Sequence, residues 1–249
     1  MTEAGPYART LAGKVVVVLG GSSGIGLQTA LQARAQGATV ILTGRDAERL
    51  EKAAELVTPA RTEAFDVTDH SALKAFFDSL DGPIDHVLVT AGGPYYAPLA
   101  SIDLDDADAA FRGHIGVMID VARLAAPRIR AGGGLIVMSG TAPRRPTVGL
   151  IVTAATATGL SAAAATLALE LAPVRVNVIA AGFVDTPLSA TLVGDGLDAR
   201  RAELRERLPI GRVVEADDVA ALAIHLMTNT ALTGSTFDID GGQQLVAGL

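Results

Sequence analysis

Short runs of aliphatic and β-branched residues alternate with longer segments of helical periodicity along almost the whole chain. Val15–Leu19 is five consecutive apolar residues and predicts a buried strand. Residues 25–36 have the pattern of a helix that stops at Gly37. A second strand follows over 39–43, then a helix over 46–57 with Asp46 placed as its N-cap. Further strands are predicted at 61–65, 86–89, 135–138, 175–179 and 237–239, with helices at 69–80, 105–130, 149–171 and 217–227. Regular strand–helix alternation implies an α/β fold: a parallel sheet with helices on both faces. Without repeats, linkers or low-complexity tracts, residues 1–249 read as a single domain, with 1–12 as an N-terminal extension.

Residues 149–169 carry no charge and meet the length criterion for a membrane span. The segment consists largely of Ala, Thr and Gly, however, and is far less oily than a Leu-rich span. A helix apolar all round also suits a buried core or a subunit interface, and the reading here is no membrane. Composition narrows the partners further. The 27 acidic residues against 20 basic ones give a formal charge of -7, which offers nucleic acid no electrostatic footprint. With no cysteine, thiol nucleophiles, thiolate metal sites and disulfide scaffolds are excluded, and no metal site is expected. The first ten residues carry Glu3 and no apolar stretch after a basic start, so a secretory signal is not expected and a cytoplasmic location is.

In such sheets ligands bind beyond the carboxyl ends of the strands, where strand order reverses. The loop after the first strand is Gly20-Gly21-Ser22-Ser23-Gly24-Ile25-Gly26. Glycines there permit positive φ and close approach to a pyrophosphate, and the following helix offers unpaired N–H groups to the phosphates. The second strand ends at Thr43-Gly44-Arg45. A carboxylate there would select the ribose 2′-hydroxyl of NAD; Arg45 instead suits a 2′-phosphate, so NADP(H) is the expected cofactor of a Rossmann-type doubly wound sheet.

These segments resemble the short-chain dehydrogenase/reductase family over nearly the whole chain. Gly20, Gly24 and Gly26 match its glycine spacing, although Leu19 stands where the family usually has Thr. Asp66-Val67 is similar to the pair whose carboxylate contacts adenine, and Ala91-Gly92 to the end of the Asn-Asn-Ala-Gly motif. Residues 169–173 and 175–177 resemble the end of the family's long helix and its next strand. Residues 181–186 resemble the Pro-Gly motif, so that Gly182, Val184 and Thr186 would lie against the nicotinamide; 233–234 and 240–242 resemble the C-terminal signature. The resemblance implies a homo-oligomer, a dimer or tetramer, assembled through the long helix.

The same resemblance implies an Asn-Ser-Tyr-Lys tetrad, and here the chain departs from it. The Tyr position falls on Thr153 and the Lys position on Ala157. Independently of alignment, the only tyrosines are Tyr7, Tyr95 and Tyr96, and no lysine follows Lys74, so no Tyr-x-x-x-Lys exists in the long helix. The only asparagines are Asn177 and Asn229, and His114 takes the place of the relay Asn. The Ser position falls near Thr141, with Ser139 two residues earlier. Substitute candidates follow: His114 for proton transfer, Thr141 or Ser139 to polarise a carbonyl, Tyr96 or Tyr95 on the loop facing the nicotinamide, and Arg144 or Arg145 to stabilise an oxyanion or hold an acidic substrate. Retained hydride chemistry on a small carbonyl, alcohol or imine is the preferred reading. The alternatives are a catalytically silent NADP(H)-binding regulator and a structural subunit.

Overall fold

The computed structural model of the chain describes residues 10–249. Most of the expected N-terminal extension lies outside those residues. Its end does not behave as an extension: Leu11 is 1% exposed and belongs to the core beneath the first strand.

Seven strands form one parallel sheet: β1 Val15–Leu19, β2 Thr39–Gly44, β3 Arg61–Ala64, β4 Ile84–Val89, β5 Ile129–Gly140, β6 Arg175–Ala181 and β9 Thr236–Ile239. Their spatial order is β3-β2-β1-β4-β5-β6-β9, so the order reverses between β1 and β4. Every residue of β4 is buried, as expected of a strand covered on both faces. On one face pack α1 Gly24–Ala35, α2 Ala47–Val57 and α9 Ala216–Thr228; on the other α3 His70–Asp78, α5 Val117–Ala125 and α6 Ile151–Glu170. Among the described residues the two large hydrophobic clusters are these two faces, and a third, small one joins Leu204, Leu208 and Val213.

Helix α6 is long and apolar enough to cross a membrane by length and composition. Of its buried residues, Val152, Thr156, Leu160 and Ala164 recur every four positions, with Ala157 beside them, a single stripe laid on the sheet layer beside β5 and β6. The apolar character of this face is thus accounted for by packing.

The structure corrects the sequence expectation in three places. The single helix expected over 105–130 is α4 Leu104–Phe111, a π-turn Arg112–Gly116 and α5, followed by a short turn at 126–128. Pro127 cannot continue the hydrogen-bonded ladder, and β5 already begins at Ile129. The glycines at its start let it run close to β4: a Cβ on Gly133 would lie 2.2 Å from the Asp85 carbonyl oxygen. Two further helices, α7 Pro187–Val193 and α8 Leu197–Arg207, and a two-stranded pair, β7 Val184–Asp185 with β8 Val214–Glu215, were not anticipated. Only Leu204 is buried in α8, so no apolar period announces it.

The amino-terminal end of the sheet, opposite the strand ends that open to ligand, is held by polar groups. Asp85, 2% exposed, accepts from the Val15 amide at 2.9 Å and from Lys14 Nζ at 3.1 Å, and also pairs with Arg130. Buried Arg175 donates to the carbonyls of Gly132, Leu226, Met227, Asn229 and Leu232, satisfying the open C-terminal end of α9.

Candidate functional site

The strand order reverses between β1 and β4, so the loops beyond their carboxyl ends part there, at the cleft where sheets of this kind take their ligands. The loop after β1 is drawn tight: the amides of Gly20 and Gly21 both donate to the Thr43 carbonyl, at 3.1 and 2.8 Å. Gly26 is seated directly against this turn, where a Cβ would lie 2.2 Å from the Gly20 carbonyl oxygen. Gly20 itself has φ +95°, a conformation that strains any side chain-bearing residue.

Helix α1 then begins at Gly24 without a side-chain cap from Ser23 and without an acidic residue in its first turn. Helices α2, α3 and α4 are all capped by aspartates, Asp46, Asp69 and Asp103. Helix α6 is likewise uncapped, but α1 alone of the two starts at the glycine turn after β1, where its open N–H groups and positive dipole end form the arrangement that binds phosphate.

Thr90, just beyond β4, closes the floor. Its hydroxyl lies 2.9 Å from the Gly20 carbonyl oxygen and 3.2 Å from that of Leu19, tying the β1 and β4 loops together. Sequence reading passed over it; the only signal was its position immediately before Ala91-Gly92.

Beyond β2, Arg45 is 78% exposed and its guanidinium lies 3.9 Å from the Asp66 carboxylate. Gly44 faces Ser22, whose Oγ would lie 3.1 Å from a Cβ placed there. The Asp66 carboxylate accepts from both the amide and the hydroxyl of Thr68, at 2.9 and 2.8 Å. Burial alone would raise its pKa, but those hydrogen bonds and the Arg45 charge hold it below the usual carboxylate value. Val67, next to it, is buried under the sheet edge.

The start of α7 roofs the cleft. Thr186 caps this helix through Ser189 and approaches Gly24, 3.5 Å from a Cβ built there. Leu188 comes within 3.8 Å of the equivalent point on Gly93, so one turn of helix spans the β1 and β4 loops. Behind it, the strand Val184–Asp185 is anchored by its pairing with β8, and Gly182 is packed flush against Asp240 and Gln243. The Gln243 side chain accepts from the Phe183 amide at 2.9 Å.

His114 stands on the opposite wall, in the π-turn between α4 and α5, a local widening that often marks a functional site. Its Nδ1 lies 2.8 Å from the Ala110 carbonyl oxygen, an atom that only accepts. In the neutral ring the proton therefore sits on Nδ1, and the lone pair is on Nε2. Nε2 is directed at the β4 loop, 3.3 Å from the Cβ position of Gly92. Consecutive glycines thus touch His114 on one side and Leu188 on the other.

Family comparison places this geometry. A model described as Enoyl-(Acyl carrier protein) reductase matches residues 20–244. A short-chain dehydrogenase/reductase designated ATR9, from Stachybotrys chlorohalonatus, is 30% identical, with 94% of this chain and 98% of the relative aligned. The chain belongs to the short-chain dehydrogenase/reductase family. Among solved structures, MalC, a reductase/Diels-Alderase from Malbranchea aurantiaca, superposes with a TM-score of 0.87 at 25% identity, over 94% of this chain and 98% of that one. A small-chain dehydrogenase in complex with NADPH superposes with a TM-score of 0.80 at 29% identity, over 93% of this chain and 99% of that one.

In this short-chain dehydrogenase/reductase the remaining sequence candidates fall in different places. Ser139, near the end of β5, has a buried hydroxyl without a hydrogen-bond partner among the described residues. Thr141, just past β5, is fixed through its amide to the Ala181 carbonyl at 3.1 Å. Tyr95 is held in place by its phenol oxygen, which accepts from the Asp103 amide at 2.9 Å. Tyr96 is 55% exposed, and burial of the rest of its ring pushes the phenol pKa up, away from use as an acid near neutrality. Thr153 donates to the Tyr95 carbonyl, and Ala157 is 5% exposed within the α6 stripe.

The two arginines are not a substrate clamp. Arg144 forms a two-point pair with Asp238, at 2.9 and 2.8 Å. Arg145 donates to the carbonyls of Gln243 and Val246. Both guanidiniums are spent on fastening the loop after β5 to the C-terminal segment.

Proposed function

We propose that the chain is an NADP(H)-dependent oxidoreductase and an atypical member of its family, working without the Tyr-Lys pair. The open N-terminus of α1, pressed against the Gly20 turn, carries this reading. Gly20, Ser22, Ser23, Gly24, Ile25 and Gly26 receive the pyrophosphate, and Arg45 pairs with the 2′-phosphate beside Asp66. Asp66 and Val67 border the adenine; Ala91, Gly92, Gly182, Val184 and Thr186 border the nicotinamide. The fit is chemical as well as spatial, because the residue that would carry a carboxylate for NAD is Gly44. When bound, the cofactor supplies or accepts a hydride, and the protein has to place a small carbonyl, alcohol or imine and move one proton.

His114 is the proton-handling group. Its Nδ1 is committed to the Ala110 carbonyl, so Nε2 takes the proton from a substrate hydroxyl in oxidation and returns it in reduction. Ser139 and Thr141, on the neighbouring strand end, polarise the substrate oxygen, with Tyr96 bordering the same opening. The molecule works as a homo-oligomer in the cytoplasm.

Titration with NADPH and NADH, followed by a screen for NADPH oxidation across carbonyl and imine compounds, tests the reading. Clearly tighter NADPH binding together with at least one reproducible substrate supports it. Equal affinity for the two dinucleotides defeats the cofactor assignment, and cofactor binding without any turnover defeats the catalytic one.

A further inference from the structure

The charges around the roof of the cleft are matched with one another. Arg144 is paired at two points with Asp238, and Arg201 at two points with Asp185, both contacts at 2.8 Å. Arg145 is taken by main-chain carbonyls of the C-terminal segment. Arg112, although it belongs to the same π-turn as His114, lines a separate groove with Thr68 and Asp120. The large side chains the roof exposes are apolar: Leu188 is 48% and Leu192 46% exposed, on successive turns of α7, with Tyr96 on the loop after β4 at 55%, while the exposed Thr191 hydroxyl is turned back onto the Pro187 carbonyl at 3.0 Å. Leu188 is placed at the reacting end by its approach to Gly93, directly beside the Gly92 that faces His114.

From this we infer that the substrate is an uncharged, apolar carbonyl compound or the matching alcohol, and that carboxylates and phosphate esters are rejected. The inference rests on the oxidoreductase reading above. With Arg45 held at the far, adenosine end, an anion at the reacting end of this cleft would lose water without meeting an unpaired guanidinium among the described residues, since drawing Arg144 toward it would strand Asp238. An apolar group loses nothing comparable and covers Leu188 and Leu192. Discrimination thus comes from the internal pairing of charges as much as from the leucines.

A pair of probes tests the charge: ethyl 2-oxo-4-phenylbutanoate and free 2-oxo-4-phenylbutanoate, which share the acyl skeleton and the reacting carbonyl and differ in the carboxylate charge and one ethyl group, with the Asp238→Asn variant separating the two contributions. Calorimetry on the protein saturated with NADP⁺ reads binding without turnover, and NADPH oxidation reads reaction. The ester is expected to bind at least tenfold more tightly than the acid and to be the one consumed. Asp238→Asn, which releases Arg144, is expected to narrow that gap by strengthening binding of the acid. Equal or tighter binding of the acid by the unaltered protein overturns the inference, as does binding of neither probe when NADP⁺ itself binds. Absence of NADP⁺ binding would instead remove the oxidoreductase reading beneath it.

Discussion

The hydroxyl of Thr153 lies 2.7 Å from the carbonyl oxygen of Tyr95, and it is the donor. Thr153 stands in α6 where the family resemblance places an acid, yet its one proton is engaged by the main chain of the loop after β4. The same loop is gripped from the other side, where the Tyr95 phenol accepts from the amide of Asp103, the N-cap of α4. The loop after β4 is therefore fastened between two helices, with Thr153 holding one side of it.

Thr153→Val is expected to leave the Tyr95 carbonyl without this partner. The loss should be roughly 1–3 kcal/mol of stability, seen as a lowered melting temperature, with a larger KM for whatever substrate is found. Thr153→Ser keeps the donor and should behave nearly as the parent. Equal effects of the two variants would show that side-chain shape, and not the hydrogen bond, matters at this position.

Among the described residues the Arg45 guanidinium makes no polar contact closer than the 3.9 Å approach to Asp66, and most of the side chain lies in solvent. Arg45→Ala should weaken NADPH binding by about 1.5–3 kcal/mol, the worth of a hydrogen bond to a charged group, while leaving NADH binding nearly unchanged. Titration of both dinucleotides against parent and variant reads the difference. A variant that keeps its NADPH preference would place the 2′-phosphate elsewhere.

His114→Ala should lower turnover by about 10²–10⁴-fold, the usual contribution of a positioned acid or base, and should leave the NADPH dissociation constant in place. Because the ring also packs against Gly92, His114→Leu serves as a second variant that fills part of the space and carries no group able to exchange a proton. Unchanged turnover in either variant would remove His114 from the mechanism.

Much of this architecture was legible from periodicity. Val15–Leu19 is the strand the pattern predicted, and Asp46 caps the helix that follows it, whereas Asp69, read as the first residue of its helix, is in fact its N-cap. The glycine loop was equally plain, because a turn that admits no Cβ must be written in glycine. What periodicity could not show were elements made by contact at long range. Helix α8 buries one residue, and the π-turn at His114 has no compositional mark inside an otherwise helical run. Nor could spacing reveal that Arg144 finds its partner 94 residues away at Asp238, which turns an apparent anion clamp into a fastening. Charges near a cleft suggest what it binds only once their partners are known.

The last prediction concerns a group remote from the cleft. His86, in β4 beside Asp85, is 4% exposed, and its Nδ1 has no hydrogen-bond partner among the described residues. Burial, reinforced by the charge of Arg175, lowers its pKa to about 4 from an unperturbed 6.5. The unfolded chain therefore binds a proton that the folded chain refuses between these two values, and stability falls as pH drops through that window. A difference of about 2.5 units corresponds to roughly 3 kcal/mol, fully present above pH 6.5 and lost by about pH 4. His86→Gln should remove this part of the acid sensitivity, flattening the denaturation midpoint between those pH values even if the variant is less stable throughout. A parent-like slope in the variant would assign the acid sensitivity to other groups, with the Asp85 carboxylate, held below its usual pKa by the Val15 amide, Lys14 and Arg130, the first to be examined.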